Sequence, residues 1–360
     1  MNHFEQMLAG RQVPDPLKRA DGSAVTTAEA FEREKEAVKT LLQEQEYGVL
    51  PPKPEKLTVR SGDHDPRFCA GKATLTKLHF TAEKDGEAFT FPVYAAVPTH
   101  TDGKIPAFVM INFRPDVPDK YLPSEEIIDR GYAVFSFCYK DISSDTNDFT
   151  DAGARFLVKD RTLPNASGKI MLWAWAAMRV MDYLETREDI DLDRVAVIGH
   201  SRLGKTALVT GAFDERFPFA ISNDSGCCGA ALTRGKAGEQ KEDIVTVFPH
   251  WFCPRYLAPT KAEDLPFDQN YLLSLIVPRH IFVGSAEEDL WSDPASEFLC
   301  LYAVNPVYAL YGKMGLPTPR EMPTAPAVLA GDSYYQLRRG MHYFSREDWQ
   351  RYMDRMDAIR

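Results

Sequence analysis

Residues 194–209, RVAVIGHSRLGKTALV, contain two overlapping motifs that would support different chemistry. As G-x-x-x-x-G-K-S/T, Gly199 to Thr206 spell a P-loop, whose backbone N–H groups cradle nucleotide phosphates. As a strand, a sharp turn and a helix with Ser201 at the apex, the same residues spell the nucleophile elbow of a serine hydrolase. Both interpretations need an apolar strand before the turn and a helix after it, so the surrounding elements must discriminate between them.

A serine nucleophile needs a carboxylate and then a histidine downstream, each on a loop that follows a strand. Asp224 follows the apolar run FPFAISN, Asp289 follows RHIFVGS, and His342 lies in RRGMHYFS. The two aspartates fit both interpretations, because a P-loop enzyme uses an aspartate to hold magnesium. His342 favours the hydrolase, since a serine nucleophile needs a base. One departure is that G-H-S-R-L-G places the second glycine one residue late for G-x-S-x-G, which leaves Leu203 where the turn packs closest.

Strand and helix patterns alternate along the chain. Two segments, 72–80 and 86–98, are predicted to form an antiparallel pair. Apolar runs then predict buried strands, and 168–186 predicts a helix that is covered on both sides; the strand runs are 105–113, 131–139, 194–199, 217–223 and 279–285. This alternation predicts an α/β fold with a mostly parallel sheet between two helical layers. The strand count before Gly199 matches the α/β-hydrolase elbow, which follows the fifth strand, whereas P-loops usually follow an early strand.

The chain is expected to divide into two unequal parts. Residues 27–46 predict a charged helix with a narrow apolar stripe, and three prolines within 51–54 end it. We therefore expect residues 1–55 to be an N-terminal helical extension and 56–360 to be the catalytic domain. A last helix is expected after Ser345, a suitable N-cap with Asp348 three residues on.

Composition excludes several function classes. The net charge of −10 argues against general affinity for nucleic acid or anionic membranes, and no apolar stretch approaches the eighteen residues of a membrane span. The six cysteines include no C-x-x-C pair, so neither a zinc site nor a disulfide framework is expected. The first residues lack a secretion signal, which predicts a cytoplasmic protein unless a signal was removed. The oligomeric state stays open.

The segment 199–231, GHSRLGKTALVTGAFDERFPFAISNDSGCCGAA, resembles the glucuronoyl esterases of carbohydrate esterase family 15. These are α/β-hydrolases with an elbow of the form G-C/H-S-R-x-G-K, so the late glycine is a family trait. The likeness continues through FPHWF at 248–252, through 265–294 and through GMHYFSREDW at 340–349. It covers roughly residue 105 to the end.

The resemblance implies roles for five residues. Ser201 would be the nucleophile and His342 the general base. Arg202 would supply its backbone N–H, and its guanidinium, to the oxyanion. Lys205 matches a family lysine that contacts sugar hydroxyls, and Trp251 matches a tryptophan that lines the uronate site.

The resemblance offers two candidates for the acid of the triad. Fungal members carry a glutamate at the position of Asp224, whereas many bacterial members use the loop of Asp289. One carboxylate is enough to hold His342 in one tautomer. We expect Asp289 to be the acid and Asp224 to be the alternative. Glu239, in GKAGEQ, is a further candidate for contact with the sugar.

Two cationic residues fall at the start of the helix that follows the serine. Arg202 and Lys205 lie in the first helical turn, where the macrodipole disfavours each cation by about 0.3–1 kcal/mol. An oxyanion and a uronate product would explain them, and so would a phosphate, which keeps the P-loop alternative open here.

Fungal members join a cysteine before the serine to one after the histidine by a disulfide; here His200 and Tyr343 occupy those positions. We expect His200 to pack into the fold.

The main hypothesis is a serine carbohydrate esterase that hydrolyses esters of a glucuronate carboxyl group without a metal, nucleotide or other cofactor. The substrate would be a small molecule or an oligosaccharide ester. An acetyl or feruloyl esterase acting on oligosaccharides is the first alternative, and a P-loop nucleotide-binding protein is the second. A non-catalytic carbohydrate-binding relative is the third.

Overall fold

The computed structural model describes residues 2–19 and 21–359. Ten strands within these residues form one sheet: β1 Lys56–Phe68, β2 Ala73–Lys84, β3 Glu87–Pro98, β4 Ile105–Asn112, β5 Ala133–Cys138, β6 Ile190–His200, β7 Phe219–Asn223, β8 His280–Ala286, β9 Ala327–Ala330 and β10 Tyr334–Arg338. Their spatial order is β1-β2-β3-β5-β4-β6-β7-β8-β10-β9. The neighbours from β5 to β10 are parallel, and antiparallel strands extend both ends. The carboxyl ends of β6, β7, β8 and β10 therefore meet at one edge.

Helices cover both faces of this sheet. They are α1 His3–Gly10, α2 Ala28–Leu42, α3 Ser124–Asp129, α4 Tyr139–Ile142, α5 Ala152–Leu157, α6 Lys169–Leu184, α7 Arg202–Phe213, α8 Lys241–Val247, α9 Gln269–Ile276, α10 Pro294–Ala303, α11 Asn305–Leu310 and α12 Arg346–Ala358. Strand β4 shows the two layers directly. Val109 packs in the cluster that contains α6 and α7, whereas its neighbours Phe108 and Met110 pack in the cluster that contains α3 and α12. The predicted three-layer arrangement is confirmed.

Most predicted elements are present, and the differences have physical reasons. The antiparallel pair is β2–β3, and the five buried runs are β4 to β8. Sequence patterning missed β1, β9 and β10. Strand β1 is mostly exposed and includes the charged stretch GDHDPR, so it has no apolar alternation. It precedes the antiparallel pair, and the elbow therefore follows the sixth strand in chain order rather than the fifth.

The N-terminal helices pack on the sheet-bearing part of the chain. The helix predicted at 27–46 is α2 followed by a π-helical turn over Gln43–Tyr47. Phe4 and Phe31 are buried in the main core cluster, and Arg11 Nη1 donates to Ser296 Oγ at 2.6 Å. The division at residue 55 stays a prediction.

Three smaller expectations can be compared with the structure. Ser345 caps α12, and its side chain and that of Asp348 form a reciprocal capping box. All six cysteines are free thiols. Within residues 2–19 and 21–359, no helix combines the length and apolar character that a membrane crossing requires.

Candidate active site

Ser201 occupies a sharp turn between β6 and α7. Its backbone has φ 58° and ψ −129°, a left-handed conformation that costs a non-glycine residue free energy. The Ser201 N–H donates to the carbonyl of Asn223 at 2.8 Å, which ties the turn to the end of β7. Gly199 is required just before it, because a Cβ there would lie 2.1 Å from the carbonyl oxygen of Leu203. The turn therefore has the geometry of a nucleophile elbow.

The late glycine has a structural reason. A Cβ on Gly204 would lie 3.0 Å from both Ser222 Oγ and Ser225 Cβ, so the close approach of α7 to the end of β7 falls at this residue. Leu203 is fully buried in the main hydrophobic cluster. The unusual spacing thus moves the point of closest contact by one residue and leaves the elbow intact.

His342 and Asp289 are joined by a hydrogen bond. His342 follows β10, Asp289 follows β8, and Nδ1 of the imidazole lies 2.6 Å from Oδ2 of the carboxylate. Burial alone would raise the pKa of Asp289, but hydrogen bonds from His342 and Ser292 outweigh it and lower that pKa. An ionised Asp289 accepts from Nδ1–H, which leaves Nε2 of His342 free to accept a proton.

Asp224 lies in a different environment. Its Oδ2 atom is 3.3 Å from Nη2 of Arg338, and its Oδ1 atom has no hydrogen-bond partner among the described residues. Burial, followed by the nearby charge of Glu297, raises the pKa of Asp224 well above its ordinary value, and Arg338 opposes this only in part. Burial and the neighbouring carboxylates, Asp289 among them, therefore oppose the ionisation of Asp224.

Asp224, Asp289 and His342 lie close together at the edge of the sheet. Each offers an oxygen or nitrogen atom within 4.8 Å of the others, and no other set of three His, Cys, Asp or Glu side chains in residues 2–19 and 21–359 has this spacing. The bond between His342 and Asp289 already uses one imidazole nitrogen and one carboxylate oxygen. A bound cation would compete with that bond.

The Arg202 guanidinium is anchored by a carboxylate that sequence analysis did not identify. Arg202 Nη1 donates to Oδ2 of Asp145. Asp145 also accepts from Trp251 Nε1 at 2.7 Å, from Tyr139 Oη at 2.9 Å and from His250 Nε2 at 3.0 Å. Burial opposes ionisation of Asp145, but the bonds from His250 and Trp251 and the charge of Arg202 hold its pKa well below the usual range. The macrodipole cost of a cation at this helix start is thereby offset.

Lys205, three residues after Arg202 on the same helix face, also lies near the Trp251 ring. Its Nζ donates to the carbonyl of Ser225 and lies 4.0 Å from Oε2 of Glu239. Trp251 stacks on Phe248 with ring centroids 3.9 Å apart and planes 2° apart, so its orientation is fixed. A lysine, a carboxylate and an indole are groups that commonly contact sugar hydroxyls and C–H faces.

All eight residues proposed from the sequence line one cavity of about 360 Å³: Ser201, Arg202, Lys205, Asp224, Glu239, Trp251, Asp289 and His342. Four further lining residues were missed: Ser225, Phe248, Trp291 and Ser292. These four residues could have been proposed from the sequence, because each lies within a segment that carries the resemblance. Asp145 and Arg338 do not line the cavity but bond to residues that do, and neither lies in a segment that carries the resemblance.

Comparison with known proteins defines the class. A sequence model described as "Glucuronyl esterase, fungi" matches residues 80–312. A carbohydrate esterase from an unknown prokaryotic organism is 33% identical, over 99% of this chain and 91% of its own length. A 4-O-methyl-glucuronoyl methylesterase of Neurospora crassa is 28% identical, over 84% of this chain and 73% of its own length. A solved glucuronoyl esterase from Solibacter usitatus superimposes with a TM-score of 0.87 at 29% identity, over 96% of this chain and 97% of that one.

The fold and the elbow are those of an α/β-hydrolase, as predicted. The chain belongs to the glucuronoyl esterases of carbohydrate esterase family 15, and it is a carboxylic-ester hydrolase. The P-loop alternative is wrong, because the chain belongs to a family of esterases and its fold matches theirs.

Proposed function

We propose that the protein hydrolyses esters of a glucuronate carboxyl group through a glucuronoyl intermediate on Ser201. The observation that carries this proposal is the convergence in one cavity of an elbow serine, a His342–Asp289 pair and a set of sugar-binding groups. The activity named for the Neurospora crassa relative supports the choice of acyl group.

The first step is attack of Ser201 Oγ on the ester carbonyl. His342 Nε2 takes the hydroxyl proton, and the resulting imidazolium is stabilised by Asp289 through Nδ1–H. The bond between the carbonyl carbon and the alcohol oxygen then breaks, His342 gives its proton to that oxygen, and the carbonyl carbon stays bonded to Ser201. Water attacks this ester in the second step, with His342 acting again as base, and glucuronate is released.

Arg202 is proposed to stabilise the tetrahedral intermediate. Its backbone N–H belongs to the first turn of α7, where N–H groups have no partner within the helix, so it is free to donate to an oxyanion. Its guanidinium lies 4.8 Å from the Trp251 ring and is held there by Asp145. An arginine fixed in advance loses little conformational freedom when the negative charge develops.

Lys205, Glu239 and Trp251 are proposed to bind the sugar ring. Lys205 has three N–H donors, of which one is used by Ser225, and Glu239 can accept from a hydroxyl. Binding the sugar through these groups orients the C6 carboxyl ester toward Ser201. An acetyl ester would lack this recognition, since its sugar would lie on the alcohol side of the bond.

The test is hydrolysis of benzyl glucuronate beside 4-nitrophenyl acetate by the wild type and by Ser201→Ala. We expect the wild type to cleave the glucuronate ester with a far higher kcat/KM, and Ser201→Ala to lose this activity. Ser61→Ala, which changes an exposed serine on β1, is the matched control and should behave as wild type. Serine-dependent cleavage of the acetate alone would assign the protein to the acetyl or feruloyl esterases instead.

A further inference from the structure

His200, the residue before the nucleophile, lies against the face of His342. Their ring centroids are 4.5 Å apart, with planes inclined by 38°. His200 is 2% exposed, whereas the side chain of His342 is 41% exposed. The base of the proposed triad is thus open to solvent on one side and covered by a buried imidazole on another.

The hydrogen bonds around His200 define its tautomer. Nδ1 of His200 lies 2.7 Å from Oδ1 of Asn223, while Nδ2 of Asn223 donates to Oη of Tyr352 at 3.3 Å. Because the amide oxygen can only accept, Nδ1 of His200 must carry a proton. Nε2 of His200 is buried and has no hydrogen-bond partner among the described residues, so a second proton there would be unsatisfied.

His200 is therefore neutral at the pH values at which esterases work. Burial and the proximity of His342 lower the pKa of His200 to about 3, with Arg338 adding to this effect and Asp289 and the Asn223 bond opposing it. A second imidazolium beside His342 would repel the charge that forms when the base takes a proton. The neutral ring adds no such repulsion.

The ring of His200 is also firmly held. Aromatic rings surround it: Tyr121 at 5.0 Å, Phe344 at 6.0 Å in a stacked arrangement, and Phe113 at 6.2 Å between centroids. His342, by contrast, lies on a loop and has one side-chain hydrogen bond, to Asp289. The covalent bond at Cγ and the hydrogen bond at Nδ1 still allow the ring to tilt about the line through these two points, and a contact on the ring face limits that tilt.

We propose that His200 is a positioning residue, a neutral buried platform whose face holds the His342 ring with Nε2 directed at Ser201. The role rests on the proposed function, because it acts through the base of the proposed triad. The aromatic rings around His200 hold the platform in place, the bond to Asn223 fixes its tautomer, and the contact between the two rings orients His342.

Two variants separate the ring from the hydrogen bond. His200→Phe keeps a flat neutral ring and loses the bond to Asn223, whereas His200→Gln keeps a donor and loses the ring. We expect His200→Gln to lower kcat on benzyl glucuronate by about 10- to 100-fold with KM within about twofold, because a misplaced base slows only the chemical step. We expect His200→Phe to stay within about fivefold of wild type.

A merely structural role would give a different result. Loss of core packing would lower Tm and the fraction of active protein, but not kcat per active site. Active sites are therefore counted by covalent titration with a 4-nitrophenyl phosphonate, and the rate of that reaction gives a second measure of how well Ser201 is activated. His200→Leu provides another folded-core variant without a ring, and it should match His200→Gln.

Controls keep this inference separate from the proposed function. If Ser201→Ala and His342→Ala are as active as wild type, the proposed function itself fails. If both are inactive while His200→Gln and His200→Leu keep the wild-type kcat, only the role of His200 is overturned. A His200→Phe variant as slow as His200→Gln would also overturn it, since the bond rather than the ring face would then be responsible.

Discussion

Two aspartates at the ends of neighbouring parallel strands lie close to the same histidine, and their surroundings differ. Asp289, after β8, accepts from His342 Nδ1 at 2.6 Å and has a lowered pKa. Asp224, after β7, faces Arg338 at 3.3 Å and has a raised pKa because it is deeply buried beside Glu297. The first carboxyl is ionised more readily next to His342, and burial opposes ionisation of the second.

This difference shows that the environment of a carboxyl, rather than its position along the chain, decides whether it can pair with an imidazolium. An imidazolium is stabilised by an anion, and a carboxyl that keeps its proton gives little stabilisation. Both loops emerge at the carboxyl edge of the sheet, so either aspartate satisfies the chain order. The hydrogen-bond partners of each side chain separate the two.

The largest effect is expected when the two aspartates are compared by substitution. Asp289→Asn should lower kcat on benzyl glucuronate by about 10³- to 10⁴-fold, because an amide neither stabilises the imidazolium nor enforces the tautomer of His342. Asp224→Asn should cost less than about tenfold, since His342 is hydrogen-bonded to Asp289, whereas Asp224 faces Arg338. Steady-state kinetics on both variants make the comparison, and equal losses would show that the two carboxyls share the role.

A smaller effect concerns the pH dependence of folding stability near Asp224. Glu297 accepts from the Gly226 N–H at 2.8 Å and from Ser285 Oγ at 2.5 Å, and burial raises its pKa from 4.5 to about 7. A raised carboxyl pKa gives stability that is fully present below pH 4.5 and is lost as the pH rises through about 7. The loss is on the order of 3 kcal/mol, at about 1.36 kcal/mol per pKa unit.

Glu297→Gln tests this prediction, because the amide can still accept from Gly226 and donate to Ser285. The free energy of unfolding of the variant, measured with urea from pH 4 to pH 8, should fall less with pH than that of wild type. Parallel curves for the two proteins would mean that Glu297 has the same pKa in the folded and unfolded states, and that the burial of Glu297 does not raise its pKa.

The smallest effect is expected at the sugar side of the cavity. Lys205→Met removes the donor near Glu239 and should raise KM for benzyl glucuronate by about 5- to 30-fold, the cost of one or two hydrogen bonds. The activity on 4-nitrophenyl acetate should change by less than about threefold, since that substrate has no sugar to orient. A parallel loss on both substrates would instead assign Lys205 to the support of the Ser225 loop beside Asp224.

The sequence predicted the central sheet well because β4 to β8 are buried runs of apolar residues. It missed β1 and β10 for different reasons: β1 is largely exposed and charged, and YYQLR in β10 is a short segment whose burial depends on its neighbours β8 and β9. Strand position also placed Ser201 and both aspartates correctly at the sheet edge. Sequence patterns therefore identify strands that are buried along their whole length.

The rest of the site depends on contacts between segments that are distant in sequence. Asp145 gathers Arg202, His250 and Trp251 from two other parts of the chain, and nothing local in DISSDTND indicates this. Arg338 likewise holds Asp224 from more than one hundred residues away. Such pairings become visible only when the loops are brought together by the fold.

The most direct test of the account is to mix the wild-type protein rapidly with benzyl glucuronate, quench with acid and identify the modified peptide by mass spectrometry beside Ser201→Ala. We predict a glucuronoyl group on Ser201 in the wild type, and neither adduct nor glucuronate formation in Ser201→Ala. A glucuronoyl group on another side chain, or glucuronate released by Ser201→Ala at the wild-type rate, would contradict the account.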